Sequence, residues 1–266
     1  MITKVLATFA VVITGALLLY GVSDFPAFGD PHSPANAGVE GGAPSISNYY
    51  ITKSYEDTKV PNLVTSVLAD YRGYDTMFET VVIFAAGMAI FAILRVFSDE
   101  DDIEPNETHS EGNTFTDGDH SRIIVGTTVR LVVPVIQLFA LYVVAHGHHS
   151  PGGGFQGGVI LGASFIIIAL AMDLDAALAR FSEKSYFRLA SVGILIYAGF
   201  GVLCQVLGSD FLDYGILQKI FLTDGPEMAR SHSMLGVEVG VAFTVTGIMF
   251  AIYANLSSRG TLKSAL

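Results

Sequence analysis

The sequence predicts an all-α membrane protein with about six transmembrane helices, and three observations support that fold class. Hydrophobic residues make up 51% of the 266 residues, whereas charged residues make up 15%, well below the roughly 25% of soluble domains. The apolar residues form six continuous blocks, each long enough to cross a bilayer. These blocks lack the alternating pattern of membrane β-barrel strands. Because backbone groups in lipid must pair within their own segment, the blocks are predicted to be helices.

Two of the blocks precede an acidic segment and four follow it. The first block follows Lys4 and has two interpretations, a cleaved signal peptide or a membrane anchor. Its apolar stretch is long for a signal peptide, and Gly21-Val22-Ser23 is a poor cleavage site, so an anchor is favoured. The predicted spans are about residues 5–22, 80–97, 123–145, 156–172, 189–207 and 234–254.

The segments between the blocks indicate how the chain is divided. Residues 25–47 are rich in Gly and Pro and are predicted to be irregular, whereas a helical apolar pattern after Pro61 predicts a short amphipathic helix. Residues 98–122 are strongly acidic, which predicts an extended linker or, as the alternative, a patch that concentrates cations. We therefore expect a two-helix domain over residues 1–97, a linker over 98–122 and a four-helix domain over 123–266.

The distribution of basic residues predicts the orientation. With the N-terminus inside, eight Lys and Arg residues lie on the inner side and five in the longer outer loops, while Arg130 lies within a span. By the positive-inside rule, both termini are predicted to be cytoplasmic. We expect a multi-pass protein of the cell (plasma) membrane.

Composition excludes several functions. The net charge of −11 disfavours nucleic-acid binding. The single cysteine, Cys204, cannot form an internal disulfide, a CxxC zinc site or an iron–sulfur site. No nucleophile triad, nucleotide loop or metal motif is present in the sequence. We therefore expect a transport subunit without a cofactor or catalysis of its own.

Charged residues at or within the spans are candidates for ion translocation, because charges in lipid are costly. Glu79, at the start of the second span, has a carboxylate that can bind a proton or Na⁺; the alternative is a hydrated side chain at a helix N-terminus. Asp75 and Arg72 are interpreted as supporting residues, an N-cap and a salt-bridge partner. Arg130 either has a buried partner or extends to the inner surface.

Glu238 lies four residues into the predicted last span, between Gly236 and Gly240, which permit close helix approach. By depth, Glu238 and Glu79 fall in the outer half of the membrane and Arg130 in the inner half. A direct pair between Arg130 and Glu238 is therefore not predicted.

The loop between the third and fourth spans contains three histidines and several glycines. A zinc site here lacks a nearby carboxylate, and the spacing does not fit a phosphate-binding loop. The composition instead predicts a tight backbone turn that enters the protein at membrane depth, stiffened by Pro151. His148 titrates near neutrality and is a candidate for passing protons, with packing as the alternative. The predicted structural glycines are Gly152, Gly153, Gly154, Gly157 and Gly158.

This loop resembles the signature of the B-type subunit (MnhB) of the Mrp (Mnh) multisubunit Na⁺/H⁺ antiporters. The matching pattern is Gly147-His148-x-x-Pro151-Gly152-Gly153-Gly154-Phe155-x-Gly157-Gly158. The resemblance continues through residues 123–254 and implies four spans. Glu238 stands where the B-type subunit usually has Asp, which is closer to relatives in membrane-bound hydrogenases.

The N-terminal part resembles a second element of the same complexes. Residues 62–79 look like the pattern before the last helices of the large A-type subunit of Mrp antiporters, an element that forms a separate E-type subunit in membrane-bound hydrogenases. The chain therefore resembles a fusion of an E-type element with a B-type subunit. The resemblance implies a role in ion translocation for Glu79 and supporting roles for His148 and Pro151. It implies a role for Glu238 as well, on fewer matching residues.

Together the resemblances imply a membrane subunit of an Mrp-type Na⁺/H⁺ antiporter module that contributes to the ion path and to subunit packing. Implied partners are large antiporter-like subunits and small membrane subunits, with Na⁺ and H⁺ as transported ions. One alternative is a membrane arm of a hydrogenase-type respiratory complex, in which ferredoxin-linked redox subunits drive ion pumping. A stand-alone carrier and a purely structural scaffold are the remaining alternatives.

Overall fold

The computed structural model describes residues 2–33, 45–100, 118–258 and 260. Within these residues the chain is helical and has no strand, which confirms the all-α fold class. A π-helical segment, Val67–Tyr71, follows α3, and a 3₁₀ turn, Tyr214–Leu217, precedes α9. The helices are α1 Ile2–Ser23, α2 Ile46–Thr58, α3 Leu63–Ser66, α4 Gly73–Glu100, α5 Gly118–Ala145, α6 Gly154–Ala171, α7 Leu174–Leu178, α8 Glu183–Val206, α9 Gln218–Phe221 and α10 Pro226–Ser257.

Six of the described helices are long and apolar enough to cross a membrane, which confirms the predicted number of spans. The last of them begins earlier than predicted, at Pro226 rather than near residue 234. Its first turns contain Glu227 and Arg230, which interrupt the apolar block but not the helix. The six segments are Lys4–Ser23, Gly73–Arg95, Ile123–Ala145, Gly154–Ala171, Glu183–Val206 and Pro226–Ser257.

The chain divides into two compact units, Met1–Lys53 and Ser54–Leu266. In the first unit, α1 exposes apolar side chains such as Val11 and Leu19 along its length, as expected of a helix surrounded by lipid or partner helices. Residues 25–33 form turns, in agreement with the predicted irregular segment, while 34–44 lie outside the described residues.

The segment interpreted as an acidic linker, residues 98–122, lies mostly outside the described residues. Helix α4 continues to Glu100 and α5 begins at Gly118, so helical structure extends into both ends of it. Its role as a linker stays a prediction.

Helix α10 forms the centre of the second unit and packs against α4, α6 and α8. Small residues allow this close packing: a Cβ on Gly240 would lie 2.7 Å from the carbonyl oxygen of Gly193 on α8. The hydroxyl of Thr244 donates a hydrogen bond across the same contact to the Ala190 carbonyl, at 3.0 Å. Small residues and hydroxyl contacts of this kind are typical of helix pairs in membranes.

Two ion pairs join α4 and the segment before it to the C-terminal helices. Arg95 binds Glu183 of α8 at 2.6 Å, and its guanidinium lies 3.9 Å from the centre of the Phe91 ring. Asp70, in the π-helical segment, binds Arg230 of α10 at 2.6 Å. All four charged side chains are largely buried. Within the second unit, residues 54–100 are therefore packed together with residues 118–258 as one body.

Candidate functional site

The centre of the candidate site is the carboxyl group of Glu238. It lies twelve positions after Pro226 at the start of α10, or about 18 Å along the helix axis. The residue is only 8% exposed. Its Oε2 atom is buried and has no hydrogen-bond partner among the described residues. Glu238 therefore lies deeper within its helix than its distance from the start of the apolar block suggested.

The loop between α5 and α6 packs directly on this carboxyl group. A Cβ on Gly147 would lie 2.7 Å from Oε2 of Glu238, and a Cβ on Gly153 would lie 2.8 Å from Oε1. A Cβ on Gly154 would overlap the backbone carbonyl of Glu238. Only glycine at these positions lets the loop backbone approach the carboxylate this closely.

The loop geometry agrees with the predicted tight turn. Gly152 and Gly153 have φ values of 145° and 147°, in the region that strongly favours glycine. Gly157 and Gly158 belong to α6, where a Cβ would lie 2.9 Å from the carbonyls of Ala140 and Ala242 respectively. These two glycines therefore set the spacing of α6 between α5 and α10.

Two residues that sequence reasoning did not single out hold the loop in place. The side-chain amide of Asn62 donates hydrogen bonds to the carbonyls of Gly147, at 2.8 Å, and Ser150, at 3.0 Å. The hydroxyl of Thr65 donates to the same Gly147 carbonyl at 2.7 Å. The backbone N–H of Asn62 donates to the carbonyl of His148 at 3.0 Å. We call Asn62 and Thr65 the loop clamp.

A cavity of about 220 Å³ lies between the loop clamp and Glu238. Its polar lining comes both from residues 54–100 and from residues 118–258. Lining residues come from α3, the π-helical segment and α4, and also from the loop between α5 and α6 (the glycine loop), α6 and α10. The lining includes Asn62, Thr65, Thr76, Gln156 and Glu238.

His148 lies in the loop but has a different electrostatic environment from Glu238. Its side chain is half-buried, and its Nε2 atom has no hydrogen-bond partner among the described residues. Burial lowers the pKa of His148 below its ordinary value of 6.5, and repulsion from His149 and His232 lowers it further. Both effects favour the neutral imidazole over the charged form.

Glu79 and Arg130 do not join this site. Both side chains are exposed, Glu79 on α4 and Arg130 on α5, and neither makes an ion pair within the part of the chain that the structure describes. Glu79 is flanked on α4 by the exposed side chains of Phe78 and Val82. Arg130 is likewise followed on α5 by the exposed side chains of Leu131 and Val132.

The two residues interpreted as supporting Glu79 lie at the start of α4. Arg72 and Asp75 form an ion pair, and both side chains are exposed. Asp75 lies in the first turn of α4 and not at its N-cap, because the helix begins at Gly73. Asp75 therefore lies three positions after the N-cap position, whereas the expected ion pair with Arg72 is present.

The remaining loop residue, Pro151, lines the cavity beside Glu238.

The described residues contain no group of three or more His, Cys, Asp and Glu side chains that is arranged to hold a metal ion.

Comparison with known proteins identifies two matched regions in the chain. Residues 124–251 match a family model described as "Domain related to MnhB subunit of Na+/H+ antiporter". Residues 40–109 match a second model, MbhE, which describes the E-type subunit of MBH. The loop clamp thus lies in one matched region, and the glycine loop and Glu238 lie in the other.

Two curated relatives are named as antiporter subunits. The putative antiporter subunit mnhB2 of Staphylococcus haemolyticus is 30% identical over 137 residues, which cover 51% of this chain and 94% of that protein. A probable K⁺/H⁺ antiporter A/B-type subunit of Rhizobium meliloti is 28% identical over 180 residues, or 63% of this chain. The chain spans only 18% of the length of the Rhizobium protein.

Two solved structures share the fold. One is the Mrp complex from Dietzia sp., with a TM-score of 0.63 and 24% identity over 99% of this chain and 27% of the matched chain. The other is the membrane-bound sulfane sulfur reductase, an archaeal respiratory membrane complex, with a TM-score of 0.56 and 25% identity. That match covers 94% of this chain and 98% of the matched chain.

Proposed function

Because this chain belongs to the family of antiporter subunits related to MnhB, we propose that it is a membrane subunit of an Mrp-type cation/proton antiporter module. Its six apolar helices make it a multi-pass membrane protein. The observation that carries a role in ion translocation is the buried carboxyl group of Glu238, whose Oε2 atom has no partner among the described residues.

The chemistry of this site suits cation/proton exchange. An ionised carboxylate that is buried without a partner is strongly destabilising, especially within a membrane-spanning helix. Binding either a proton or a monovalent cation at the same oxygen relieves that cost. The two ions then compete for Glu238, and the adjoining cavity of about 220 Å³ gives a cation room to enter.

The exposed charges indicate where partner subunits bind. Glu79 lies on an apolar helix surface, where contact with lipid alone would be unfavourable. A neighbouring membrane protein that offers a polar or basic group there would complete an ion path through Glu79. For the same reason we infer that a carboxylate or carbonyl group of a partner lies beside Arg130. His148 and Pro151 support the path through the loop around Glu238.

The experiment is an exchange assay in everted vesicles that contain the whole complex, in a host that lacks other cation/proton antiporters. Glu238→Gln should abolish exchange with both Na⁺ and K⁺, while Glu238→Asp should retain part of it. The matched control is Glu227→Gln, which removes a carboxylate from the first turn of the same helix. Normal exchange by an assembled Glu238→Gln complex would disprove the role of Glu238.

A second candidate function is that of a membrane-arm component in a redox-driven respiratory complex. The match to 98% of a chain of the sulfane sulfur reductase complex, together with the match to the MbhE model, favours it. Mass spectrometry of the intact complex, purified through a tag on this chain, separates the two. Antiporter-like and small membrane proteins alone would support an ion-gradient antiporter, whereas co-purifying iron–sulfur proteins would support the redox-driven complex.

A further inference from the structure

The loop clamp connects two regions that belong to different families. Asn62 and Thr65 lie within residues 40–109, which match the MbhE model. The loop that they bind lies within residues 124–251, which match the MnhB-related domain. The hydrogen bonds between Asn62 and the loop therefore join residues that are 85 and 88 positions apart in the chain.

The hydrogen bonds concentrate on the part of the loop that faces Glu238. The carbonyl of Gly147 accepts from both Asn62 and Thr65, while the backbone of Gly147 lies against Oε2 of Glu238. The carbonyls of His148 and Ser150 are bound as well. One short segment therefore fixes three carbonyls of the turn that follows α5.

We propose that Asn62 and Thr65 are positioning residues that hold the glycine loop against Glu238, so that the two family regions form the ion site jointly. Neither residue has to touch the transported ion. Displacing the Gly147 backbone would change the shape of the pocket around the carboxylate. This inference rests on the proposed function in one respect, namely that Glu238 binds the transported ion.

The side chain of Asn62 has two separable roles, and the choice of variant can distinguish them. Its Oδ1 accepts from the N–H of Val64 and caps α3, whereas its Nδ2 donates to the loop. Asn62→Asp keeps an acceptor for the helix cap and removes both side-chain hydrogen bonds to the loop. For Thr65, Thr65→Val removes the hydroxyl, and Thr65→Ser keeps it.

The test uses the whole complex and two readouts. The first is the half-saturating Na⁺ or K⁺ concentration and the maximal rate of exchange in vesicles. The second is the rate at which dicyclohexylcarbodiimide, a carboxyl-modifying reagent, labels Glu238, measured by mass spectrometry. The control variant is Asn48→Asp, which makes the same side-chain change at an exposed residue of α2.

We expect Asn62→Asp to raise the half-saturating concentration about tenfold and Thr65→Val about fivefold, from the usual strength of one or two hydrogen bonds. The maximal rate should change less than about twofold, because a displaced loop weakens cation binding but leaves the exchanging carboxylate of Glu238 in place. The labelling rate of Glu238 should rise in both variants, and Thr65→Ser should behave like the native chain.

Unchanged half-saturation and unchanged labelling in both Asn62→Asp and Thr65→Val would overturn the inference. A fall in maximal rate and in complex abundance, with half-saturation and labelling unaltered, would also overturn it, because that pattern indicates a purely structural role. If Glu238→Gln exchanges normally, the proposed function fails instead, and the labelling rate still tests the loop clamp by itself.

Discussion

The contact between Gly147 and Glu238 yields a prediction whose size follows from the structure. In Gly147→Ala the new Cβ would lie 2.7 Å from Oε2 of Glu238 and 3.0 Å from the α-carbon of Gly153. Favourable contacts of a carbon atom begin at about 3.5 Å, so either the carboxylate or the loop must move by several tenths of an ångström. Overpacking of this kind costs about 1–3 kcal/mol.

We expect the half-saturating cation concentration of Gly147→Ala to rise about tenfold, because about 1.4 kcal/mol corresponds to a tenfold change in affinity. The assay is cation/proton exchange in vesicles with matched amounts of assembled complex. Gly199→Ala is the control, since a Cβ there meets nothing within 4 Å. An assembled Gly147→Ala complex with native half-saturation would refute the argument that the loop shapes the ion site.

Two further predictions concern stability. Arg95→Ala leaves Glu183 buried without its partner, so the purified complex should lose about 3–5 kcal/mol of stability. In thermal denaturation, the double variant with Glu183→Ala should lose less stability than the sum of the two single losses. Strict additivity of the losses would contradict a direct ion pair. The pKa of His148 is lower in the folded chain than its ordinary value of 6.5. Below pH 6.5 the unfolded chain therefore binds a proton that the folded chain does not, and the free energy of unfolding should fall as the pH drops. His148→Gln should make this fall shallower in melting curves between about pH 7 and pH 5, and an unchanged slope would contradict the proposed environment of His148.

The number and place of the membrane helices could be predicted from the sequence, because the apolar blocks are long and separated by polar segments. The start of α10 could not, because Glu227 and Arg230 interrupt the hydropathy but not the helix. Arg230 is accommodated by Asp70, which lies 160 positions earlier, and this pairing is not visible in a local pattern. The cytoplasmic location of both termini and the cell membrane as the site stay predictions.

The candidate site was predicted in its parts but not in its assembly. The glycine pattern predicted a tight turn, and Glu238 was a candidate because it is a charge within a span. Their direct contact depends on the packing of α10 against α6, which sequence spacing does not define. The N-cap propensity of Asn62 was a local signal that α3 begins there, but its hydrogen bonds to the loop are long-range. Glu79 and Arg130 stay predictions, since their surroundings depend on partner proteins.

The claim that Glu238 binds a proton and a cation in turn is tested most directly by cation protection of this residue against dicyclohexylcarbodiimide. The intact complex is treated with the reagent at increasing Na⁺ or K⁺, with choline at matched ionic strength as the control. Labelling at Glu238 is then measured by peptide mass spectrometry. We predict that the transported cation slows labelling in a saturable way and that choline does not. Labelling of Glu238 that is independent of both cations, or absent at every pH, would contradict the claim.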